Sequence, residues 1–111
     1  MTPNEYQQSA ARTMPHVSDD DLKLHALHGM CGEVGEIHSL FQKVYQGHEF
    51  DETHLKKEIG DLLWFVAELC TVFHFEMEDI MQMNIDKLLK RYSTDAGFTV
   101  EESLHRAEND I

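Results

Sequence analysis

Residues 58–67 of this chain, Glu-Ile-Gly-Asp-Leu-Leu-Trp-Phe-Val-Ala, are the stretch that decides the fold. The last six of them, Leu62 to Ala67, are all apolar, so a helix built from them is apolar around its whole circumference. The helical pattern continues on both sides, from about Thr53 to Phe75. We therefore predict a central helix that is buried on all sides.

Helical patterns also dominate the rest of the chain, and no convincing strand alternation occurs. Thr2-Pro3 is a capping residue followed by proline, which is typical of a helix start. The acidic run Asp19 to Asp21 is expected to cap the second helix, and Thr99 with Glu102 matches a capping box. The remaining predicted helices span about residues 2–12, 19–47, 77–92 and 99–107.

This order of elements predicts the all-α class, as an antiparallel helical bundle of four main helices plus a short C-terminal helix. A chain of 111 residues fits one domain over residues 1–111. Four main helices are too few to cover one helix that is apolar on every side. We therefore expect oligomerisation to complete the core, in a homodimer or homotetramer. The alternative is a closed monomeric four-helix bundle.

The charge and the cysteine content indicate which classes of partner and which cellular compartment to expect. With 21 acidic and 9 basic residues the formal net charge is −12, which disfavours polymeric nucleic acid and anionic membranes as partners. Cys31 and Cys70 lie in apolar helical patterns and are expected to be reduced thiols. Residues 1–14 do not resemble a secretion signal, and no apolar run is long enough for a membrane span. We therefore expect a cytoplasmic protein.

Two short segments carry the same acidic pattern. Glu33-Val34-Gly35-Glu36 lies on the second predicted helix and Glu58-Ile59-Gly60-Asp61 on the third. Residues three apart share a helix face, and two helices joined by a short turn pack antiparallel, so the four carboxylates can converge. Such a cluster needs cations to offset its repulsion, and oxygen ligands suit magnesium or manganese. The alternative is that these acids only solvate exposed helix faces.

The second helix also contains three glycines, Gly29, Gly32 and Gly35. Each costs up to about 1 kcal/mol relative to alanine inside a helix. We expect this cost to be offset where the missing side chains let another backbone or a ligand approach closely.

The two acidic segments resemble the Glu-x-x-Glu and Glu-x-x-Asp halves of the MazG-like all-α nucleotide pyrophosphohydrolases. Three downstream segments look like the corresponding stretch of one MazG-like branch. They are Asn-Ile-Asp-Lys-Leu-Leu-Lys-Arg-Tyr at 84–92, Gly-Phe at 97–98 and Glu-Ser-Leu-His-Arg at 102–106. Together these motifs cover roughly residues 27–106, most of the chain. Some family members have a further glutamate where this chain has Gly32.

The resemblance implies a magnesium-dependent helical oligomer. Its reaction is hydrolysis of a nucleoside triphosphate between the α and β phosphates, which gives a nucleoside monophosphate and pyrophosphate. Glu33, Glu36, Glu58 and Asp61 are then the metal ligands, and Glu36 also orients or deprotonates the attacking water.

Phosphate contacts are expected from the fourth predicted helix. Asn84, Lys87 and Arg91 are three and then four residues apart and share one face, and Tyr92 adjoins them. The alternative is a solvated basic face that pairs with some of the excess acid.

Two other functions stay open. A non-catalytic helical regulator could bind nucleotides without cleaving them. A ferritin-like di-iron protein needs a Glu-x-x-His on each of two core helices, and Glu102 with His105 is the only such spacing here. A zinc site at His25, His28 and Cys31 has weak support, because no second Cys/His pair has the usual spacing.

Overall fold

The computed structural model describes residues 1–95 and 97–106, and within these ranges it contains helices and no strand. The helices are α1 (Pro3–Ala11), α2 (Asp19–Tyr45), α3 (Glu52–Val72), α4 (Met77–Arg91) and α5 (Val100–Leu104). The predicted all-α class is therefore confirmed. Within the described part of the chain, none of the helices combines the length and apolar content that a bilayer span requires. The predicted end of the fifth helix, Ala107, lies outside the described residues.

The first two helices start at capped turns. At α1, Thr2 accepts a hydrogen bond from the backbone N–H of Glu5, and the Glu5 carboxylate accepts one from the backbone N–H of Thr2, both at 3.1 Å. At α2 the cap is Ser18, whose hydroxyl accepts from the backbone N–H of Asp21. The prediction that Asp19 to Asp21 supply the cap is wrong by one residue, because these aspartates fill the first turn, where their charge favours the helix dipole.

The predicted stop of α2 at Gly47 agrees with the structure, whereas the predicted stop of α3 at Phe75 is too late. Gly47 has φ +97°, a left-handed conformation that glycine adopts readily. After α3 it is His74 that adopts the left-handed conformation, with φ 59°. The backbone N–H of Phe75 donates to the Cys70 carbonyl at 2.8 Å. This closing bond is typical of a helix C-terminus, so α3 ends at Val72 although no glycine marks the end.

The described residues form two compact units, the first spanning Met1–Met77 and the second starting at Glu78. In the first unit α3 packs against both α1 and α2. Its core contains Ala10, Ala67, Cys70 and Met77, with Tyr6, Trp64 and Val66 packed against them. A single domain over residues 1–111 stays a prediction.

Three successive contacts define the seam between α2 and α3. His25 bonds to Glu68, Gly29 faces the Phe65 ring, and the Glu33 carboxylate lies within 4.8 Å of that of Glu58. Residue numbers rise along α2 while they fall along α3, so the two helices are antiparallel, as predicted. The short connection over residues 46–51 enforces this arrangement.

Glu68 is the one charged residue among the buried residues described, with 1% of its surface exposed. His25 Nδ1 lies 2.9 and 2.8 Å from its two carboxylate oxygens. A carboxylate can only accept, so Nδ1 carries the hydrogen and donates. Removal of His25, whose side chain is 43% exposed, would leave the buried Glu68 carboxylate unsatisfied, so this pair fixes one end of the seam.

The prediction that α3 is buried on all sides is wrong for the single chain. Ile59 and Leu63 remain 44% and 47% exposed, because α1 and α2 cover only part of the circumference of α3. On α2 the apolar residues Leu27, Val34 and Phe41 are exposed to a similar degree. Completion of the core by oligomerisation stays a prediction.

The second unit is organised around Glu102. Its backbone N–H donates to the Thr99 hydroxyl, as the predicted capping box requires. The Glu102 carboxylate accepts from the Thr99 hydroxyl at 2.9 Å and from the backbone N–H of Ser93 at 3.1 Å, so it also fixes the chain before α5. The Tyr92 and Phe98 rings lie 5.2 Å apart in the same segment.

Because of the contact between Gly29 and Phe65, an alanine should affect stability differently at Gly29 and at Gly35 of the same helix. A Cβ at Gly29 would meet the Phe65 ring, whereas a Cβ at Gly35 would meet nothing within 4 Å. We expect Gly29→Ala to lower the free energy of unfolding by about 1–3 kcal/mol, because the ring must move. Gly35→Ala should leave it unchanged or raise it by up to about 1 kcal/mol through helix propensity.

Urea denaturation of both variants, followed by circular dichroism, measures the two effects. A Gly29→Ala variant as stable as Gly35→Ala would contradict the close approach of the Phe65 ring to α2.

Candidate metal centre

The seam between α2 and α3 brings three carboxylates together. Glu33 on α2 and Glu58 and Asp61 on α3 each offer an oxygen, and these oxygens all lie within 4.8 Å of one another. The spacing of three between Glu58 and Asp61 puts both on one helix face, and antiparallel packing brings Glu33 opposite them. Oxygen-only groups of this kind suit hard divalent cations. Among the residues described, no other group of His, Cys, Asp and Glu gathers in this way.

One proton is shared within this cluster. A hydrogen bond with Glu58, then burial and the charges of neighbouring carboxylates, raise the pKa of Glu33 to about 7. The same hydrogen bond, together with His54, lowers the pKa of Glu58. Without a cation, and below about pH 7, the proton therefore resides on Glu33 while Glu58 is ionised.

The cluster leaves one oxygen without a partner. Glu33 Oε2 is buried and accepts no hydrogen bond among the described residues. Leaving a buried polar atom unsatisfied costs about 1–3 kcal/mol. A cation at the cluster would satisfy this atom and offset the repulsion between the carboxylates, so the residues present fit a divalent ion.

Glu36 is exposed and lies outside the three-residue cluster. Its charge is still near enough to contribute to the raised pKa of Glu33. Its predicted roles, as a fourth ligand and as water activator, remain predictions.

Two neighbours of the cluster were not predicted from the sequence. His54 Nε2 lies 3.0 Å from Glu58 Oε1, and the spacing of four residues on one helix could have indicated this pair. The Tyr6 hydroxyl lies 3.4 Å from the Gly60 carbonyl oxygen, and burial followed by the charge of Asp61 raises the pKa of Tyr6. No sequence pattern indicated that α1 would reach this site.

The glycines of α2 divide into two kinds. Gly29 is needed for packing because Phe65 occupies the space of a side chain. At Gly32 and Gly35 a Cβ would meet nothing within 4 Å, so packing inside the chain does not require them. A close approach is thus found at Gly29, but the approaching group is the Phe65 side chain and not the backbone or ligand that was expected.

The predicted phosphate-binding residues belong to the second unit. Asn84, Lys87 and Arg91 lie on one face of α4, and the Arg91 guanidinium lies 6.0 Å from the centre of the Tyr92 ring. Lys87 and Lys90 line an open cleft of about 170 Å³. The predicted contact of Asn84, Lys87, Arg91 and Tyr92 with a nucleotide stays a prediction.

The zinc alternative gains no support from the described residues. His25 directs Nδ1 to Glu68, and His25, His28 and Cys31 do not form a convergent group. Cys31 is exposed and carries a free thiol.

Residues 23–105 match the model of the MazG nucleotide pyrophosphohydrolase domain. The chain is also 31% identical over 68 residues to the Gene 37 protein of Mycobacterium phage L5. The aligned region covers 57% of this chain and 60% of the phage protein. The chain thus spans about 60% of the length of that relative. No solved structure matches. Because the match includes the acidic segments of both helices and most of the chain, the chain belongs to the MazG nucleotide pyrophosphohydrolase family.

Proposed function

We propose that this protein is a magnesium-dependent hydrolase that cleaves NTPs or dNTPs between the α and β phosphates. The products are a nucleoside monophosphate and pyrophosphate. The observation that carries the proposal is the convergence of Glu33, Glu58 and Asp61 in a member of this family. We further propose a cytoplasmic location, which the free thiols of Cys31 and Cys70 support.

Glu33, Glu58 and Asp61 would hold the cation, with Glu36 as a fourth carboxylate on the open side. The buried, unpartnered oxygen of Glu33 supports its role as a ligand. A bound magnesium ion supplies charge neutralisation at the phosphates and makes a coordinated water more acidic. Manganese has a similar preference for oxygen ligands and is expected to substitute.

The chain's own residues would position the reactants. Glu36, which is exposed, orients the attacking water and takes its proton while the water oxygen bonds to the α phosphorus. The bridging bond between the α and β phosphates breaks, and pyrophosphate leaves. Asn84, Lys87 and Arg91, with Tyr92 beside them, would contact the phosphate oxygens, because donors at this spacing share one face of α4.

A regulator that binds nucleotides without cleaving them would use the same residues, so only turnover separates it from an enzyme. A di-iron protein is disfavoured, because Glu102 of the Glu-x-x-His spacing already bonds to Thr99 and Ser93.

The activity is tested with a panel of NTPs and dNTPs in the presence of magnesium. We expect release of pyrophosphate and not orthophosphate from at least one nucleotide. Glu58→Gln and Asp61→Asn should each lower kcat/KM by at least about 100-fold, since each removes a charge worth several kcal/mol in the transition state. Glu49→Gln, at an exposed position in the connection, is the matched control and should keep full activity.

No turnover of any nucleotide, with binding retained, would favour the regulator. Orthophosphate as the product would contradict cleavage between the α and β phosphates.

Cation binding should displace the proton that Glu33 holds. The pKa of Glu33 is raised to about 7, so below this pH the cation competes with the proton. The apparent affinity for magnesium should therefore rise with pH, by up to about tenfold per pH unit below pH 7, and level off above it. Titration calorimetry in buffers of different ionisation enthalpy measures both the affinity and the number of protons released.

Glu33→Gln should bind magnesium more weakly and lose this pH dependence, while Glu49→Gln should keep it. A wild-type affinity that does not change between about pH 5.5 and 7 would argue against proton displacement.

We also propose that the protein is a homodimer or homotetramer. Leu27, Val34 and Phe41 are seven residues apart on α2 and all are about half exposed. Such a stripe is typical of a helix that packs against another helix. The exposed side chains of Ile59 and Leu63 on α3 support the same proposal.

Light scattering after size exclusion should give a mass of at least twice the 12.9 kDa of the chain. Leu27→Asp should shift the mass towards one chain, because it places a charge in the apolar stripe. Ser9→Asp, at an exposed position of α1, should not change the mass. A monomeric wild-type protein would favour the closed monomer.

A further inference from the structure

His54 is held in place at two points. It lies in the first turn of α3, and its backbone N–H donates to the carboxylate of the capping residue Asp51 at 2.9 Å. Its ring nitrogen Nε2 lies 3.0 Å from Glu58 Oε1. The start of α3 is thus tied to the carboxylate cluster through one side chain.

The chemistry of this contact fixes the roles of both partners. An ionised carboxylate only accepts hydrogen bonds, so His54 Nε2 must carry the hydrogen that it shares with Glu58. A glutamate side chain has several rotatable bonds and loses conformational freedom when it is held in one position. The bond to Oε1 limits that freedom before any cation arrives.

The pair differs from an ordinary surface pair on the same helix. Lys56 and Glu52 also lie four residues apart on α3, but their side chains are 73% and 74% exposed. The Glu58 side chain is only 14% exposed, and it takes part in the cluster with Glu33 and Asp61. Exposed pairs of this spacing contribute about 0.3–0.5 kcal/mol and have no bearing on a distant site.

We propose that His54 is a positioning residue that orients the Glu58 carboxylate for divalent cation binding. The inference rests on the proposed function, because it requires that the cluster binds a cation. It adds a residue outside the four carboxylates, and it assigns the start of α3 a part in the site. Hydrogen-bonded partners of metal ligands typically change metal affinity by about 10–100-fold when they are removed.

The test measures binding of manganese, as a paramagnetic probe, to the full chain without nucleotide. His54→Leu keeps helix propensity and bulk but removes the donor, so we expect about 10–100-fold weaker binding. His54→Gln restores an N–H donor and should recover part of the loss. Lys56→Ala breaks the exposed pair on the same helix and should bind manganese within about twofold of the wild type.

Thermal unfolding of the metal-free proteins separates orientation from folding. His54→Leu should still unfold in one cooperative transition with the helical content of the wild type, because the His54 side chain is 43% exposed and lies outside the core. Wild-type manganese affinity in His54→Leu would overturn the inference and leave the proposed function standing. No manganese binding by the wild type would instead overturn the metal site of the proposed function, and the inference with it.

Discussion

The antiparallel packing of α2 against α3 is the constraint on which the rest of the first unit depends. The Phe65 ring occupies the space that a side chain at position 29 would fill, so only glycine allows the helices this spacing. Nearer the N-terminus of α2 lies the bond between His25 and the buried Glu68. On the other side lie the carboxylates of Glu33 and Glu58. A shift of either helix along its axis would disturb all three contacts.

The seam combines groups that would each be unfavourable alone. A buried glutamate is costly unless it is bonded, and His25 supplies that bond to Glu68. Carboxylates in contact repel one another, and a proton on Glu33 relieves part of that repulsion. The packing of Ala67 and Cys70 against α1 and Met77 provides apolar burial that holds these groups in place. The site thus lies partly on α3, the helix that also carries part of this core.

Much of this arrangement could be predicted from the sequence, and the exceptions have physical causes. The periodicity predicted the helices, and the three-residue spacing predicted that four carboxylates would converge. Of these, Glu33, Glu58 and Asp61 meet, whereas Glu36 lies outside the group. The end of α3 was missed because His74 takes a left-handed conformation that is usually left to glycine. Long-range partners, such as Tyr6 at Gly60, depend on how α1 packs on α3, and local patterns carry no information about that.

The contact between Gly29 and Phe65 also constrains how the sequence can change over time. A larger residue at position 29 fits only if residue 65 becomes smaller in the same lineage. Phe65 follows Asp61 by about one helical turn, so repacking at this point would also move a carboxylate. Positions 29 and 65 are therefore expected to co-vary. A protein with a larger residue at position 29 and a smaller one at position 65 would keep the fold but alter the spacing of its acidic cluster.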